Sequence, residues 1–283
     1  MATILNGKEL AKKINQKTKE EVVALTNRGV KPGIAVILVG EDPASLMYTR
    51  SKQRKADKLG MTSVLKKFPM DASQSEVIEA IHELNVDDSI NAILVQAPLP
   101  KQISQSEVTE AIAPQKDVDG FHPENLGRLY GNEASNYPVA CTPKGIMRIL
   151  KEYQIPTVGK RAVIVGRSIL VGKPMAALLL NADATVTITT SHTTNLAKIT
   201  SDADIIVSAT GIGHLIKSDY IKPGATVIDV GIEQNSEGKL IGDVDYDDIF
   251  DKAGAITPVP GGVGPMTIAT LMSQTVELAK WSH

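Results

Sequence analysis

Cysteine occurs once in the 283 residues, at Cys141, which excludes an intrachain disulfide framework and a cysteine-rich zinc site. Aromatic residues make up only 4%, so any core rests on Val, Ile, Leu and Ala. Neither sign of charge is in excess: 30 Lys and Arg stand against 32 Asp and Glu, a formal net charge of -2. General nucleic-acid binders carry a basic surplus, so no nucleic-acid partner is expected. No apolar run is long enough to span a bilayer, and residues 1–10 (MATILNGKEL) lack the apolar core of a signal peptide. The 5 His show no metal-like spacing, so no metal is expected. The expectation from these absences is a cytoplasmic protein with no membrane partner. What is present suffices for a core: 42% of residues are hydrophobic. The length corresponds to about two domains at roughly 150 residues each.

Short continuous β-branched runs at 34–39 (IAVILV), 92–95, 162–165, 185–189, 205–208 and 226–230 predict strands buried on both faces of a parallel sheet. Helical patterns at 44–59, 73–85, 104–113, 144–153 and 173–181 alternate with them, which points to βαβ units and an α/β class. Residues 117–143 break this rhythm and read as a passage between two α/β domains. A second irregular stretch, 256–265 (ITPVPGGVGP), precedes a helical pattern at 266–280. The expected division is residues 1–138 plus 260–283 as one domain and residues 139–259 as the other.

The second half carries a nucleotide-fold signature. A strand runs into Gly166, a turn follows, and a helix starts near Lys173-Pro174, where proline is favourable because its missing N–H has no helical partner. Such a helix start offers backbone donors and a positive dipole end to a phosphate. The turn is not G-x-G-x-x-G but Gly166-Arg167-Ser168 followed by Val171-Gly172. A P-loop is excluded: five residues separate Gly166 from Gly172, and Pro174 stands where Ser or Thr would hold magnesium. The next strand ends Thr189-Thr190-Ser191-His192, without the carboxylate that binds the ribose hydroxyls of NAD. Arg167 and Ser191 are suited instead to a 2′-phosphate, so the cofactor expected is NADP. A solvated Arg167 is the plain alternative. Later strand ends bring Ala209-Thr210-Gly211 and Val230-Gly231-Ile232, at the carboxyl edge where ligands lie in such folds.

The first half holds a misplaced lysine. The helical pattern from 44 to 59 has an apolar stripe of Ala44, Tyr48, Ala56 and Leu59, and stepping by four from Tyr48 reaches Lys52. A lysine on a buried face is costly unless partnered or neutral, and desolvation lowers its pKa, which can make it a general base. Snorkelling to water from the stripe's edge is the competing reading. Gln96 follows the strand at 92–95, and Asp119 lies in a glycine-containing turn, so both stand where a site gathers; a capping amide and an ordinary Asp turn account for them equally well.

Taken in order, these segments resemble one family over nearly the whole chain. They are Tyr48-x-x-x-Lys52, Val95-Gln96-Ala97-Pro98-Leu99-Pro100, Lys116-Asp117-Val118-Asp119-Gly120-Phe121, Cys141-Thr142-Pro143-Lys144-Gly145, Val165-Gly166-Arg167-Ser168, Ile228-Asp229-Val230-Gly231 and the run from Pro258 to Thr267. The family is the bifunctional methylenetetrahydrofolate dehydrogenase/methenyltetrahydrofolate cyclohydrolase. The resemblance implies an N-terminal α/β substrate domain and a Rossmann NADP domain with the catalytic cleft between them. It implies Lys52 as the central catalytic group, Tyr48 positioning the folate ring, Gln96 tuning the lysine and Asp119 binding the pterin. Pro260, Gly261 and Gly262 would touch substrate, and Gly166, Arg167, Ser168, Ser191 and Ile232 would line the NADP site. The implied partners are tetrahydrofolate derivatives and a second copy of the chain, joined through the NADP domains. The chain departs from the family's usual residues at Thr189-Thr190, Glu233, Gln274 and Ala97. Two other readings stay open: a monofunctional folate dehydrogenase, and a non-catalytic NADP-binding sensor. A shikimate-type dehydrogenase shares the two-domain plan without needing the Tyr48/Lys52 helix.

Overall fold

A computed structural model describes residues 1–282, with the side chain of Ala44 outside the described set. In chain order the elements are β1 (Thr3–Ile4), α1 (Gly7–Thr26), β2 (Gly33–Val39), α2 (Pro43–Leu59), β3 (Thr62–Phe68), α3 (Gln74–Val86), β4 (Ala92–Val95), α4 (Gln105–Ala111), α5 (Pro123–Tyr130), α6 (Cys141–Glu152), β5 (Arg161–Val165), α7 (Gly172–Asn181), β6 (Thr185–Thr189), α8 (Leu196–Thr200), β7 (Ile205–Ser208), β8 (Thr226–Asp229), β9 (Glu233–Gln234), β10 (Leu240–Ile241), α9 (Tyr246–Ile249), β11 (Ala255–Ile256) and α10 (Val263–Trp281). The chain forms two compact units, Met1–Lys12 with Thr142–Thr267, and Lys13–Cys141 with Ile268–His283. The first twelve residues therefore stand with the nucleotide unit, whereas the expected division put them with the other. The physical reason is that β1 pairs with β11, Thr3 opposite Ala255.

The Lys13–Cys141 unit is built on a parallel sheet ordered β3-β2-β4. All of β2 is buried, as its unbroken apolar run requires. Strand periodicity sends its residues to two cores. Ile34, Val36, Ala92 and Leu94 pack with Val22 and Leu25 of α1, Ala56 and Leu59 of α2, and Leu271, Met272, Val276 and Leu278 of α10. Ala35, Ile37, Ile93 and Val95 pack on the other face with Val77, Ile81 and Leu84 of α3 and Val108 of α4. Helix α2 starts where the sequence says: Asp42 accepts from Ser45 N at 2.8 Å, Pro43 opens the first turn, and Gly60 ends the helix at φ 84°.

The nucleotide unit holds a parallel sheet ordered β1-β11-β8-β7-β5-β6. Ala2, Val163, Val165, Ile206, Val227 and Ile256 share one core with Val244 and Ile249. Strand β6 ends the sheet, paired with β5, and is mostly exposed rather than buried on both faces as its apolar run predicted, because no further strand of the sheet covers that edge among the described residues. Among the described residues, no helix is long and apolar enough to cross a membrane.

Candidate active site

The carboxyl ends of the three-stranded sheet gather the expected polar residues. Lys52, half-buried on α2, donates from Nζ to Gln96 Oε1 at 2.9 Å instead of snorkelling to water. Gln96 sits just beyond β4, its backbone N bonded to Ile37 O, and its Nε2 donates to Ala97 O at 2.7 Å, which aims the amide oxygen at the lysine. Asp119 reaches the same place because residue 117 bridges in parallel to Ile93, so the chain after it runs alongside the end of β4. Burial lowers the Lys52 pKa, opposed by the charges of Asp119 and Cys141. Burial pushes the Asp119 carboxyl up to about 6, opposed by Lys52 and reinforced by Asp117. Tyr48 lies one turn before Lys52 but is 43% exposed, which corrects its place in a buried stripe. The inward positions of α2 are Ser45, Thr49, Ala56 and Leu59.

Residues outside the expected set hold Asp119 in place. The buried Asp117 carboxylate accepts from Gly120 N, His122 N and Asn125 Nδ2 at 3.1, 2.8 and 3.0 Å, knotting the turn around residue 119. Gly120 has φ 69°, and a Cβ there would stand 2.6 Å from Ala140 N. Gln274 of α10, fully buried, donates from Nε2 to Val118 O at 2.6 Å and Val139 O at 2.8 Å. Cys141 Sγ donates to the same Val118 O at 3.3 Å, so its thiol serves the turn. Asp117 and Cys141 lay within motif segments; Gln274 stood out only as a departure from the family's usual residue, and its bonds were not legible because its partners are more than a hundred residues away.

In the nucleotide unit, the turn after β5 folds tightly on its glycines. Gly166 has φ 118°, and a Cβ on it would stand 2.4 Å from Ala209 O. A Cβ on Gly172 would meet Gly166 O at 2.2 Å. Ser168 is spent inside the turn: its Oγ accepts from Val171 N at 3.1 Å and its carbonyl from Lys173 N at 3.0 Å. Helix α7 has no side-chain cap at Val171; Lys173 N is taken by Ser168 O and Pro174 has no N–H, which leaves Gly172 N and the positive end of the helix facing the turn. Gly166 N bonds Thr189 O, and Val165 pairs with Thr189, so Arg167 and Ser191 leave adjacent strand ends, both exposed. Thr190 and Thr193 close the second turn by bonding each other's backbone and side chain, which leaves the Ser191 hydroxyl outward. The cradle of glycines, the N-terminal end of α7 and an exposed arginine fits a dinucleotide phosphate group.

Two more strand ends frame that cradle. Asp229, at the end of β8, accepts from Gly231 N, Asp243 N and Val244 N at 2.9, 3.0 and 3.0 Å. Burial pushes its carboxyl up to about 7, against those three donors. Ile232, 45% exposed, follows Gly231. Its Cδ1 lies 3.6 Å from where a Cβ on Gly264 would stand, beside the loop of Pro260, Gly261 and Gly262. That loop is anchored by Lys8 N donating to Gly261 O at 2.9 Å, and Gly7 approaches so closely that a Cβ on it would lie 1.8 Å from Gly262 O.

Comparison with known proteins agrees over the whole chain. Residues 5–119 match the tetrahydrofolate dehydrogenase/cyclohydrolase catalytic domain, and residues 140–283 match its NAD(P)-binding domain. "Bifunctional protein FolD" of Limosilactobacillus reuteri is 61% identical, covering 100% of this chain and 99% of that protein. The crystal structure of the bifunctional methylenetetrahydrofolate dehydrogenase/cyclohydrolase of Campylobacter jejuni superposes with a TM-score of 0.98 at 45% identity, covering 100% of both chains. The Trypanosoma brucei methylenetetrahydrofolate dehydrogenase-cyclohydrolase, solved with NADP cofactor and inhibitor, matches with a TM-score of 0.94 at 36% identity, covering 99% of this chain and 98% of that one.

Proposed function

The chain belongs to the tetrahydrofolate dehydrogenase/cyclohydrolase family, and from that premise we propose how its residues divide the work. The enzyme oxidises 5,10-methylenetetrahydrofolate to 5,10-methenyltetrahydrofolate and hydrolyses that product to 10-formyltetrahydrofolate. NADP, when bound, supplies the hydride acceptor. Gly166, Arg167, Ser168, Ser191 and Ile232 would hold it, Arg167 and Ser191 suiting a 2′-phosphate and the N-terminal end of α7 a phosphate bridge.

The observation that carries the cyclohydrolase reading is the half-buried Lys52 bonded to Gln96 beside Asp119. With its pKa lowered, Lys52 takes a proton from water as the water oxygen bonds to the methenyl carbon. The C–N5 bond then breaks, the oxygen becomes the formyl carbonyl, and N5 receives a proton through the lysine; the net reaction releases one proton. Gln96 accepts a lysine hydrogen and so turns the amine's lone pair away from itself. Asp119 accepts paired N–H donors of the pterin, and the exposed ring of Tyr48 covers the folate. Pro260, Gly261 and Gly262 offer a side-chain-poor backbone surface to substrate. Turnover of methylenetetrahydrofolate with NADP and with NAD, following both methenyl and formyl products, tests the reading. Formation of both products with NADP preferred supports it. Methenyl product alone identifies a monofunctional dehydrogenase, and no turnover with retained NADP binding identifies a sensor.

A second copy of the chain is the macromolecular partner. Strand β6 is a sheet edge whose Thr185, Thr187 and Ile188 are exposed, and an unprotected edge of this kind favours pairing with another strand. Sedimentation of the wild type as a dimer, and of an Ile188→Lys variant as a monomer, supports assembly through this edge; a monomeric wild type overturns it.

A further inference from the structure

Asp243 lies in none of the motif segments, yet its carboxylate is a hub of the nucleotide unit's strand ends. It is fully buried at the start of the segment after β10. Its Oδ2 accepts from Ser208 Oγ at 2.9 Å and Thr210 N at 2.6 Å, and its Oδ1 accepts from Ile212 N at 3.2 Å. Backbone donors converging on one anion form a nest, the arrangement that binds phosphate at many strand and helix ends. Here the chain fills the nest at the end of β7 with its own carboxylate.

That carboxylate is itself fixed. Asp243 N and Val244 N donate to the two oxygens of Asp229, whose Oδ1 also takes Gly231 N. The packing leaves no room for side chains between the two acids: a Cβ on Gly231 would stand 2.4 Å from Asp243 Oδ1, and one on Gly242 1.9 Å from Asp229 Oδ2. The turns after β7 and β8 are thus tied to one rigid centre. Each turn holds an isoleucine outward, Ile212 at 56% exposure and Ile232 at 45%.

We propose that Asp243 is a positioning residue for NADP, an internal anion that shapes the turn at 210–212 so that Ile212, together with Ile232, flanks the cofactor. The inference rests on the NADP reading above. A fully buried carboxylate inside an anion-binding unit is costly on its own; the three donors that converge on it offset that cost.

The test is Asp243→Asn, which keeps the shape but replaces an acceptor oxygen with an NH2 group facing backbone N–H donors. By calorimetric titration NADP binds about tenfold or more weakly, the KM for NADP rises in step, and kcat at saturating NADP changes far less. A folded variant, judged by its circular dichroism, that binds NADP within about twofold of wild type overturns the proposal. Amide hydrogen exchange on the wild-type protein gives a readout independent of the variant's folding. Protection of the Thr210 and Ile212 amides is expected, and exchange as fast as in exposed loops overturns the proposal. A wild-type protein that fails to bind NADP sinks the cofactor reading instead, and exchange still reports on the carboxylate's grip.

Discussion

A lysine works as a base only when its neutral form is populated, and the surroundings of Lys52 push in both directions. Burial favours the neutral amine, while Asp119 and Cys141 favour the ammonium. The chemistry therefore depends on a proton that can leave, not on positive charge. Lys52→Arg retains charge but cannot deprotonate. Both Lys52→Arg and Lys52→Met should lower cyclohydrolase kcat by about 10²–10⁴-fold. Measured turnover near wild type in Lys52→Arg would show that charge alone suffices. Asp119 gives the pH dependence. Its carboxyl titrates at about 6 in the free enzyme, so the carboxylate that accepts pterin N–H donors is present above that pH and lost below it. kcat/KM for methenyltetrahydrofolate should fall as pH drops through about 6, a limb that Asp119→Asn removes. A limb that persists in the variant assigns the titration elsewhere. Lys52 was legible because helical periodicity is local. Its bond to Gln96 was not, since it joins residues 44 apart across a helix and a strand end.

At the scale of elements, the central strands of the nucleotide unit were readable, while its short elements β1, α8, β9, β10, α9 and β11 were not. Strands β5, β7 and β8 stand where the β-branched runs lie, because buried parallel strands need no alternation; β6 stands there too, but as a largely exposed edge strand. The other unit hid α1, β3 and α5, the last a two-turn helix at Pro123–Tyr130 inside the stretch read as a passage between domains. Strand β3 reads TSVLKKF, and its two lysines mask a partly exposed edge strand paired along its full length with β2. In α1, the buried stripe that includes Val22 and Leu25 is interrupted by Thr18, whose hydroxyl satisfies itself on Ile14 O at 2.8 Å. The turn from β5 into α7 shows what local chemistry does specify. Gly166 needs both its positive φ and its missing Cβ. Gly166→Ala should cost at least about 1–3 kcal/mol in denaturant unfolding and raise the KM for NADP, because strain and the clash with Ala209 O act together. An alanine variant with wild-type stability and KM would mean the turn relaxes freely.

Two domains, and the return of the last helix to the first-half domain, were in the reading of the sequence; that residues 1–12 complete the other unit was not. Pairing of β1 with β11 depends on residues some 250 apart, and nothing in a two-residue strand announces a partner. Each unit is finished by a remote segment. Leu5 is fully buried, and its N bonds Ile256 O at 2.8 Å in the nucleotide unit. In the other unit Leu271, Met272, Val276 and Leu278 of α10 fill the core over β2; burying four such side chains contributes roughly 6–12 kcal/mol. That is comparable to the whole net stability of an ordinary domain, so the unit has little reason to persist without its last helix. Remote truncations should consequently loosen opposite units. Leu5→Ala and Met272→Ala should each cost about 2–5 kcal/mol by leaving a cavity. Hydrogen exchange read by mass spectrometry should place the lost protection in β8 and β11 for Leu5→Ala, and in β2 and β4 for Met272→Ala. Loosening of β2 by Leu5→Ala alone would mean that the first residues belong energetically to the catalytic unit, whatever strand they pair with.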